Sequence, residues 1–210
     1  HTHAKHTPHG REMAENNAKI IIIGDANVGK TCFIRRYVEN KFFEVYSATI
    51  GVEFAMKQVK WDEQTIFTIR FWDLAGQERF AKLSRVYYRD SNAAVVVFDV
   101  TSRQSFENAA KWKQEIDSLV KYPHSNDEIA VPCVLAANKS DLEAAVSQEE
   151  IEAFSVQYGF DHWFYTSSKN NLNLDNTVKF LLKKIIDINK TIAPPAPSAG
   201  IVKVRGNAPS

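Results

Sequence analysis

Short, continuous apolar segments that alternate with helical patterns restrict the fold of this chain most. Lys19–Ile23, Ala93–Asp99 and Val131–Ala137 carry apolar residues at successive positions rather than at every second one. Strands of this kind are buried on both faces, as in a parallel sheet that helices cover from both sides. Because strands and helices alternate along the chain, the pattern predicts an α/β fold.

Helical spacing of apolar residues marks segments between these strands. Helices are expected over Gly29–Asn40, Ser105–Tyr122, Ser147–Tyr158 and Leu174–Ile188, and a short strand over His162–Tyr165. The third helix opens with Ser147 and Glu150 at the spacing of a capping box. Two earlier strand patterns, Val52–Trp61 and Thr65–Trp72, are separated by only three residues, which favours an antiparallel hairpin. We therefore predict a six-stranded, mostly parallel sheet with one antiparallel edge strand and helices on both faces.

The two ends of the chain differ from its middle. Residues 1–12 hold four of the six histidines and are interpreted as a tag, although a metal-binding role stays open. Met13 is then expected to be the natural start. Residues 191–210 include a proline-rich stretch that is typical of a flexible tail. One domain is therefore expected over residues 13–190.

Composition excludes several classes of function. The formal net charge is +1, so nothing indicates nucleic acid as a partner. The two cysteines, Cys32 and Cys133, are too few for a disulfide framework, which favours a reducing, cytoplasmic compartment. The longest apolar runs, such as Ala93–Phe98, are far shorter than a membrane span.

A glycine-rich turn directly follows the first strand. Residues 24–31, GDANVGKT, match the phosphate-loop pattern G-x-x-x-x-G-K-[ST]. Its glycines let backbone N–H groups face phosphate oxygens, and the next helix adds the positive end of its dipole. Lys30 can reach the β and γ phosphates, and the Thr31 hydroxyl can ligate Mg²⁺. The alternative is a chance glycine turn, which would match in about one random chain of this length in a hundred.

A second motif, DLAGQE, occupies residues 73–78 at the end of the third strand. The Asp73 carboxylate can hold a metal-bound water, the Gly76 N–H can meet a γ phosphate, and Gln77 can orient an attacking water. Phosphoryl transfer depends on such positioning and on charge neutralisation. Alone, D-x-x-G is more often an ordinary turn; after a phosphate loop and joined to Gln77, it predicts hydrolysis.

The third motif, NKSD at residues 138–141, follows the fifth strand. The Asp141 carboxylate can accept hydrogen bonds from the N1–H and the exocyclic amine of guanine, a donor pair that adenine lacks. Alone, this motif could equally be a solvated turn. A fourth stretch, TSSK at residues 166–169, follows the last strand and could bring a backbone N–H to the guanine carbonyl. Its default interpretation is an ordinary Ser/Thr turn.

Together these motifs resemble the Ras superfamily and, more narrowly, its Rab branch. Residues 46–54 (YSATIGVEF), 72–80 (WDLAGQERF) and 87–89 (YYR) are similar to Rab signatures, and the resemblance runs from about Ala18 to Asn189. It implies the P-loop NTPase fold, with GTP or GDP and Mg²⁺ as cofactors. Leu74, Trp61 and Trp112 are most similar to the Rab subgroup linked to lysosome-related organelles.

Motifs and resemblance together give three sets of expected site residues. The catalytic set is Lys30, Thr49, Gly76 and Gln77, and the Mg²⁺ ligands are Thr31, Thr49 and Asp73. The nucleotide-binding set is Asp25, Ala26, Asn27, Val28, Gly29, Lys30, Thr31, Cys32, Phe42, Tyr46, Thr49, Gly76, Asn138, Lys139, Asp141, Ser167, Ser168 and Lys169. By resemblance, Phe42 would lie against the guanine, and Thr49 would join both Mg²⁺ and the γ phosphate.

The resemblance also implies the kinds of partner. Effector proteins would read the switch regions and the aromatic residues Phe54, Trp72 and Tyr87, for which ordinary strand packing is the alternative. An exchange factor and a GTPase-activating protein are expected. A GDP dissociation inhibitor is expected only for a lipidated form, because the sequence ends in APS without the usual C-terminal cysteine. If anchored, the protein would act at the cytosolic face of endomembranes.

Departures from the family and rival functions stay open at this point. Ala26 and Asn27 stand where many relatives carry Ser or Gly, so they could slow intrinsic hydrolysis or be neutral. Turnover is expected to be slow without an activating protein, because no arginine finger is evident in cis. One alternative function is a nucleotide-loaded scaffold with negligible hydrolysis, which the presence of the water-orienting Gln77 disfavours. The other is an ATP-dependent P-loop enzyme, which the guanine-pairing Asp141 disfavours.

We expect Gln77→Leu to suppress GTP hydrolysis while nucleotide binding is kept, because leucine cannot orient the attacking water. A single-turnover GTP assay with and without an activating protein, beside a GDP-binding titration, measures both quantities. Unchanged turnover in the variant would show that Gln77 does not have this role.

Overall fold

The computed structural model describes residues 13–42, 52–74 and 86–192, and every statement below concerns these ranges. Ten elements follow one another along the chain. They are β1 (Ala14–Ile23), α1 (Lys30–Glu39), β2 (Val52–Lys60), β3 (Thr65–Leu74), β4 (Ala93–Asp99), α2 (Arg103–Leu119), β5 (Cys133–Asn138), α3 (Gln148–Gln157), β6 (His162–Tyr165) and α4 (Leu174–Ile192). The predicted tag at residues 1–12 and residues 193–210 of the predicted tail lie outside the described ranges.

The six strands form one sheet in the order β2-β3-β1-β4-β5-β6. The hairpin partners β2 and β3 are antiparallel, and the other neighbouring strands are parallel. β2 lies at the edge of the sheet. The predicted mostly parallel sheet with one antiparallel edge strand is therefore confirmed.

Helices cover both faces of this sheet. The Tyr37 ring of α1 contacts Phe71 of β3 edge to face. Phe71 is paired with Ile20 of β1, which is paired with Ala93 of β4, so these residues share one face of the sheet. Phe98 lies five residues after Ala93 on the same strand and therefore points to the opposite face. There it contacts Phe106 of α2. The core thus has two layers, one on each side of fully buried β4 and β5.

Several boundaries differ from those that the sequence predicts. β1 begins at Ala14 rather than Lys19, because residues 14–18 pair with residues 65–69 of β3 although their side chains are mostly polar. α4 continues to Ile192 rather than Ile188, and β5 begins at Cys133 rather than Val131. These boundaries depend on backbone hydrogen bonding between strands and within the helix, which the periodicity of apolar side chains does not indicate.

The predicted capping box of α3 is present. The Ser147 hydroxyl accepts from the backbone N–H of Glu150, and the Glu150 carboxylate accepts from the N–H of Ser147. The same carboxylate accepts two hydrogen bonds from the Arg103 guanidinium at the start of α2. The Arg103 hydrogen bond and those from Ser147 lower the pKa of Glu150 to about 2. One carboxylate therefore caps α3 and joins it to α2.

In the described part of the chain, no helix combines the length and the apolar character that crossing a membrane requires. α4 instead buries one face against the sheet and leaves the other exposed. Its buried residues are Leu174, Thr177, Val178, Leu181, Leu182 and Ile185.

We expect Val178→Ala to lower the free energy of unfolding by about 2 kcal/mol, because it removes two methyl groups from a fully buried position of α4. Val156→Ala is the matched control: it makes the same change in another helix, at a side chain that is 75% exposed. Both variants gain the same helix propensity, so the difference between their urea-unfolding midpoints isolates burial. Equal midpoints would contradict the packing of α4.

Candidate functional site

The turn between β1 and α1 approaches two neighbouring strands so closely that glycine is required at two positions. At Gly24, with φ +148, a Cβ would lie 2.2 Å from the Val97 carbonyl oxygen of β4. At Gly29, with φ +100, it would lie 2.4 Å from the Asn138 side-chain amide nitrogen at the end of β5. Only glycine combines this backbone conformation with this space. The loop is thereby seated on the carboxyl ends of the strands.

Lys30 lies under the loop. Its side chain is buried, and its ammonium donates to the carbonyl oxygens of Gly24 at 3.0 Å and Asp25 at 2.8 Å. Burial lowers the pKa of Lys30 to about 8, against the opposing charges of Asp73 and Asp25. An ammonium has three protons, and in the described ranges these two carbonyls are its hydrogen-bond acceptors. The third donor can meet an anion held by the loop.

The first turn of α1 is suited to the same anion. Gly29 is its N-cap residue, and no side chain caps the helix there. The first backbone N–H groups of a helix have no partner within the helix, and the dipole makes this end positive. α1 therefore presents its N–H groups beside Lys30, where phosphate oxygens would lie.

A hydroxyl and a carboxylate meet next to Lys30. The Thr31 hydroxyl donates to Oδ2 of Asp73, a buried residue and the second-last of β3. Two hard oxygen donors at this point fit Mg²⁺, which usually takes only one or two protein ligands and completes its octahedron with water and phosphate oxygens. The described residues contain no cluster of three or more acidic, histidine or cysteine side chains that could enclose a metal.

The third motif is bound to the phosphate loop by two side chains. The buried Asn138 amide donates to the Val28 carbonyl at 2.9 Å. The Lys139 ammonium donates to the Asn27 carbonyl at 2.7 Å and forms an ion pair with Asp99 at 2.8 Å. Because these contacts connect residues more than a hundred positions apart, they fix the distance between the two motifs.

The fourth motif is held against the third. The Ser167 hydroxyl donates to Oδ1 of Asp141 at 2.7 Å, and the Thr166 hydroxyl donates to Oδ1 of Asn138 at 3.1 Å. Both the backbone N–H and the hydroxyl of Ser140 donate to the Thr166 carbonyl. The Asp141 carboxylate is exposed and oriented by Ser167. Residues 166–169 also form the Ser/Thr turn of their default interpretation, since the Ser167 hydroxyl accepts from the backbone N–H of Asn170, and this turn is held against the third motif.

The remaining predicted binding residues of the loop are placed as follows. Ala26 and Asn27 are exposed, and Asn27 has φ 66, a left-handed conformation that asparagine tolerates well. Cys32 is half-buried, and burial raises the pKa of its thiol. Phe42 is half-buried just after α1. Ser168 is buried and Lys169 exposed, both beside Ser167 in the fourth motif.

Four predicted residues fall outside the described ranges: Tyr46, Thr49, Gly76 and Gln77. Their roles at the γ phosphate, at Mg²⁺ and at the attacking water stay predictions.

The aromatic residues Phe54, Trp72 and Tyr87 do come together on one surface. Ring centroids lie 5.5 Å apart for Phe54 and Trp72 and 6.0 Å apart for Trp72 and Tyr87. Phe54 is 52% exposed although it is a phenylalanine in a strand. Two more exposed apolar side chains lie beside these residues in the chain, Met56 and Val86, and sequence reasoning missed both. A contiguous exposed apolar surface of this kind is typical of a protein-binding site.

Sequence reasoning also missed the partners of Asp25 and of Lys139. The Asp25 carboxylate accepts hydrogen bonds from Asn108 and Trp112 of α2, and Lys139 pairs with Asp99 of β4. The spacing of Asn108 and Trp112 places both on one helical face, a signal in the sequence. It does not indicate which residue that face meets.

A phosphate loop, an oxygen pair that suits Mg²⁺ and an oriented carboxylate at the far end define a P-loop nucleotide-binding protein. Comparison with known proteins specifies the family. A sequence model of the Ras family matches residues 19–187. Human Ras-related protein Rab-7L1 is 43% identical over 169 residues, which cover 80% of this chain and 82% of the relative.

Two further relatives agree. Human Ras-related protein Rab-32 is 42% identical over 177 residues, 83% of this chain and 77% of the relative. Ras-related protein Rab-32A of Dictyostelium discoideum is 43% identical over 171 residues, 80% of this chain and 77% of the relative. The chain belongs to the Ras family and, within it, to the Rab small GTPases.

As a Rab GTPase, the protein binds GTP or GDP together with Mg²⁺, hydrolyses GTP and acts as a switch in membrane traffic. Its kinds of partner are effectors, exchange factors, activating proteins and GDP dissociation inhibitors. The predicted fold, activity and cofactors are confirmed.

We expect Gly29→Ala to lower the affinity for GDP by roughly a hundredfold or more, because its Cβ would push Asn138 and the loop apart. Gly159→Ala is the control: Gly159 also has a positive φ, of 70, but the nearest atom that a Cβ would meet there is the flexible Lys113 ammonium nitrogen at 4.0 Å. GDP titration of both variants separates loop geometry from backbone strain. Equal losses of affinity would contradict the seating of the loop on Asn138.

Proposed function

We propose that residues 24–32, 138–141 and 166–169 form the guanine-nucleotide site of this Rab GTPase. The observation that carries the proposal is the pair of hydrogen bonds from Asn138 to Val28 and from Lys139 to Asn27. They hold a phosphate-binding loop and a base-reading carboxylate on one rigid frame. A guanine nucleotide has its phosphates and its base at opposite ends and needs such a frame.

At the phosphate end, the third N–H group of the Lys30 ammonium donates a hydrogen bond to a phosphate oxygen. The first backbone N–H groups of α1 donate hydrogen bonds to the phosphates as well. Thr31 and Asp73 would hold Mg²⁺, and the charge of the bound ion would offset that of the phosphates. Lys30 is already oriented by the Gly24 and Asp25 carbonyls, so little reorganisation accompanies binding.

At the base end, Asp141 accepts from the N1–H and the exocyclic amine of guanine. Ser167 supports this role because its hydroxyl orients the carboxylate. A backbone N–H of residues 166–169 meets the guanine carbonyl, and Phe42 covers the base. Adenine would leave the carboxylate facing no donor pair, which selects against ATP.

Hydrolysis is assigned to Gln77, which orients the attacking water, and the switch to Thr49 and Gly76, which order their loops around the γ phosphate. The spacing of these residues from Thr31 and Asp73 supports the assignment. Because they differ between the GTP and GDP states, an effector that contacts both loops reads the nucleotide.

Phe54, Trp72 and Tyr87 form the surface that effectors recognise in this proposal. The half-exposed Phe54 ring favours this over strand packing, which would bury it. We place the protein at the cytosolic face of endomembranes and nearest to the Rab subgroup linked to lysosome-related organelles. Only a lipidated form would be a cargo of GDP dissociation inhibitors.

We expect Asp141→Ala to lower the affinity for GTP about a hundredfold or more and to abolish the preference for GTP over ATP, because the donor pair of guanine loses its acceptor. Glu143→Ala removes another exposed carboxylate of the same loop and should change neither quantity. Competition of GTP and ATP against a fluorescent nucleotide measures both. A wild-type protein that binds ATP as tightly as GTP would contradict the proposed site.

A further inference from the structure

The Asp25 side chain stands in the phosphate loop, yet it faces away from the loop toward α2. Its Oδ2 accepts a hydrogen bond from the Asn108 side-chain amide at 2.7 Å. Its Oδ1 accepts one from the Trp112 indole N–H at 2.8 Å. Both distances are those of charge-assisted hydrogen bonds, which are roughly twice as strong as neutral ones. Each carboxylate oxygen therefore has one donor from α2.

The donors themselves are held in place. The Asn108 carbonyl oxygen accepts from the Gln104 amide at 3.1 Å, which leaves the Asn108 nitrogen directed at Asp25. Trp112 is partly buried and packs on the core. Asn108 and Trp112 are four residues apart, so they lie on one face of α2. The pair thus forms a preorganised clamp for a carboxylate.

A carboxylate in this loop is unfavourable for the chemistry that the loop performs. Phosphates and Asp25 are both negative, and they would repel each other at short distance. The Asp25 backbone carbonyl at the same time accepts from Lys30, the residue that contacts the phosphates. Where the Asp25 side chain points therefore affects both the charge seen by the phosphates and the position of the Lys30 ammonium.

We propose that Asn108 and Trp112 are positioning residues for phosphate binding, which act by holding the Asp25 carboxylate against α2 and away from the phosphates. The inference rests on the proposed nucleotide site and adds two residues of α2 to its control. It makes the loop responsive to α2, so that a partner that displaces α2 releases Asp25 and weakens nucleotide binding.

The test is the rate of GDP dissociation from the full chain loaded with fluorescent GDP and Mg²⁺. Trp112→Phe removes the indole N–H together with part of the ring system and keeps one aromatic ring, and Asn108→Ala removes the amide group. Each is expected to accelerate dissociation roughly tenfold, the effect of losing one charge-assisted hydrogen bond. Trp163→Phe is the matched control, because the Trp163 indole also donates to a carboxylate, that of Glu152, at the β6 edge of the sheet. It should leave the rate unchanged.

A double-mutant cycle separates positioning from general loss of structure. In an Asp25→Ala background, Trp112→Phe should change the dissociation rate less than twofold, because the acceptor is already gone. A structural defect alone would instead give the same acceleration in both backgrounds.

Three results would overturn the inference: wild-type dissociation rates in Trp112→Phe, equal acceleration in Trp163→Phe, or additive effects in the cycle. If Asn108→Ala does not fold, the conservative Trp112→Phe decides alone. A wild-type chain that binds no GDP would overturn the proposed function and this inference together. A wild-type chain that binds GDP, with variants that release it at the wild-type rate, would overturn this inference only.

Discussion

The hydrogen bond from the buried Asn138 amide to the Val28 carbonyl is the contact on which the rest of the site depends. It joins the phosphate loop after β1 to residues 138–141 after β5, two strands away in the sheet. Because its donor would collide with any Cβ at Gly29, the contact also explains why this position is glycine. Together with the hydrogen bond from Lys139 to the Asn27 carbonyl, it sets the distance between the two loops.

The sheet makes this contact possible. In a parallel sheet the carboxyl ends of neighbouring strands meet at one edge, and ligands of open α/β folds bind there. Asp73 and Asn138 both stand in the last positions of their strands, and Asp99 is in register with Asn138. The antiparallel β2 does not add to this edge; its Phe54 instead contacts Trp72 and contributes to the exposed aromatic surface. In the proposed assignment, the nucleotide site lies at the carboxyl ends of the parallel strands and the partner surface lies at the β2 edge of the sheet.

Much of this arrangement could be predicted from local patterns. The continuous apolar segments predicted β4 and β5, and the three-residue connection predicted the hairpin, because both signals are short-range. The polar start of β1 could not be found this way, since residues 14–18 are held by backbone pairing with β3 rather than by an apolar side-chain pattern. Within the site, residues 166–169 carried too little signal alone, and only the tertiary contacts of Thr166 and Ser167 with residues 138–141 connect them to the third motif.

Residue type and spacing predicted the chemistry: Gly24, Gly29, Lys30 and Thr31 for phosphates and metal, and Asp141 for the base. These features are local, because neighbouring residues supply the backbone conformation and the functional groups that the chemistry needs. Only the tertiary structure decided which other side chains hold the residues of the phosphate loop in place. Asn108 and Trp112 lie more than eighty residues from Asp25, and no periodicity records a contact that exists only after α2 has packed on the sheet.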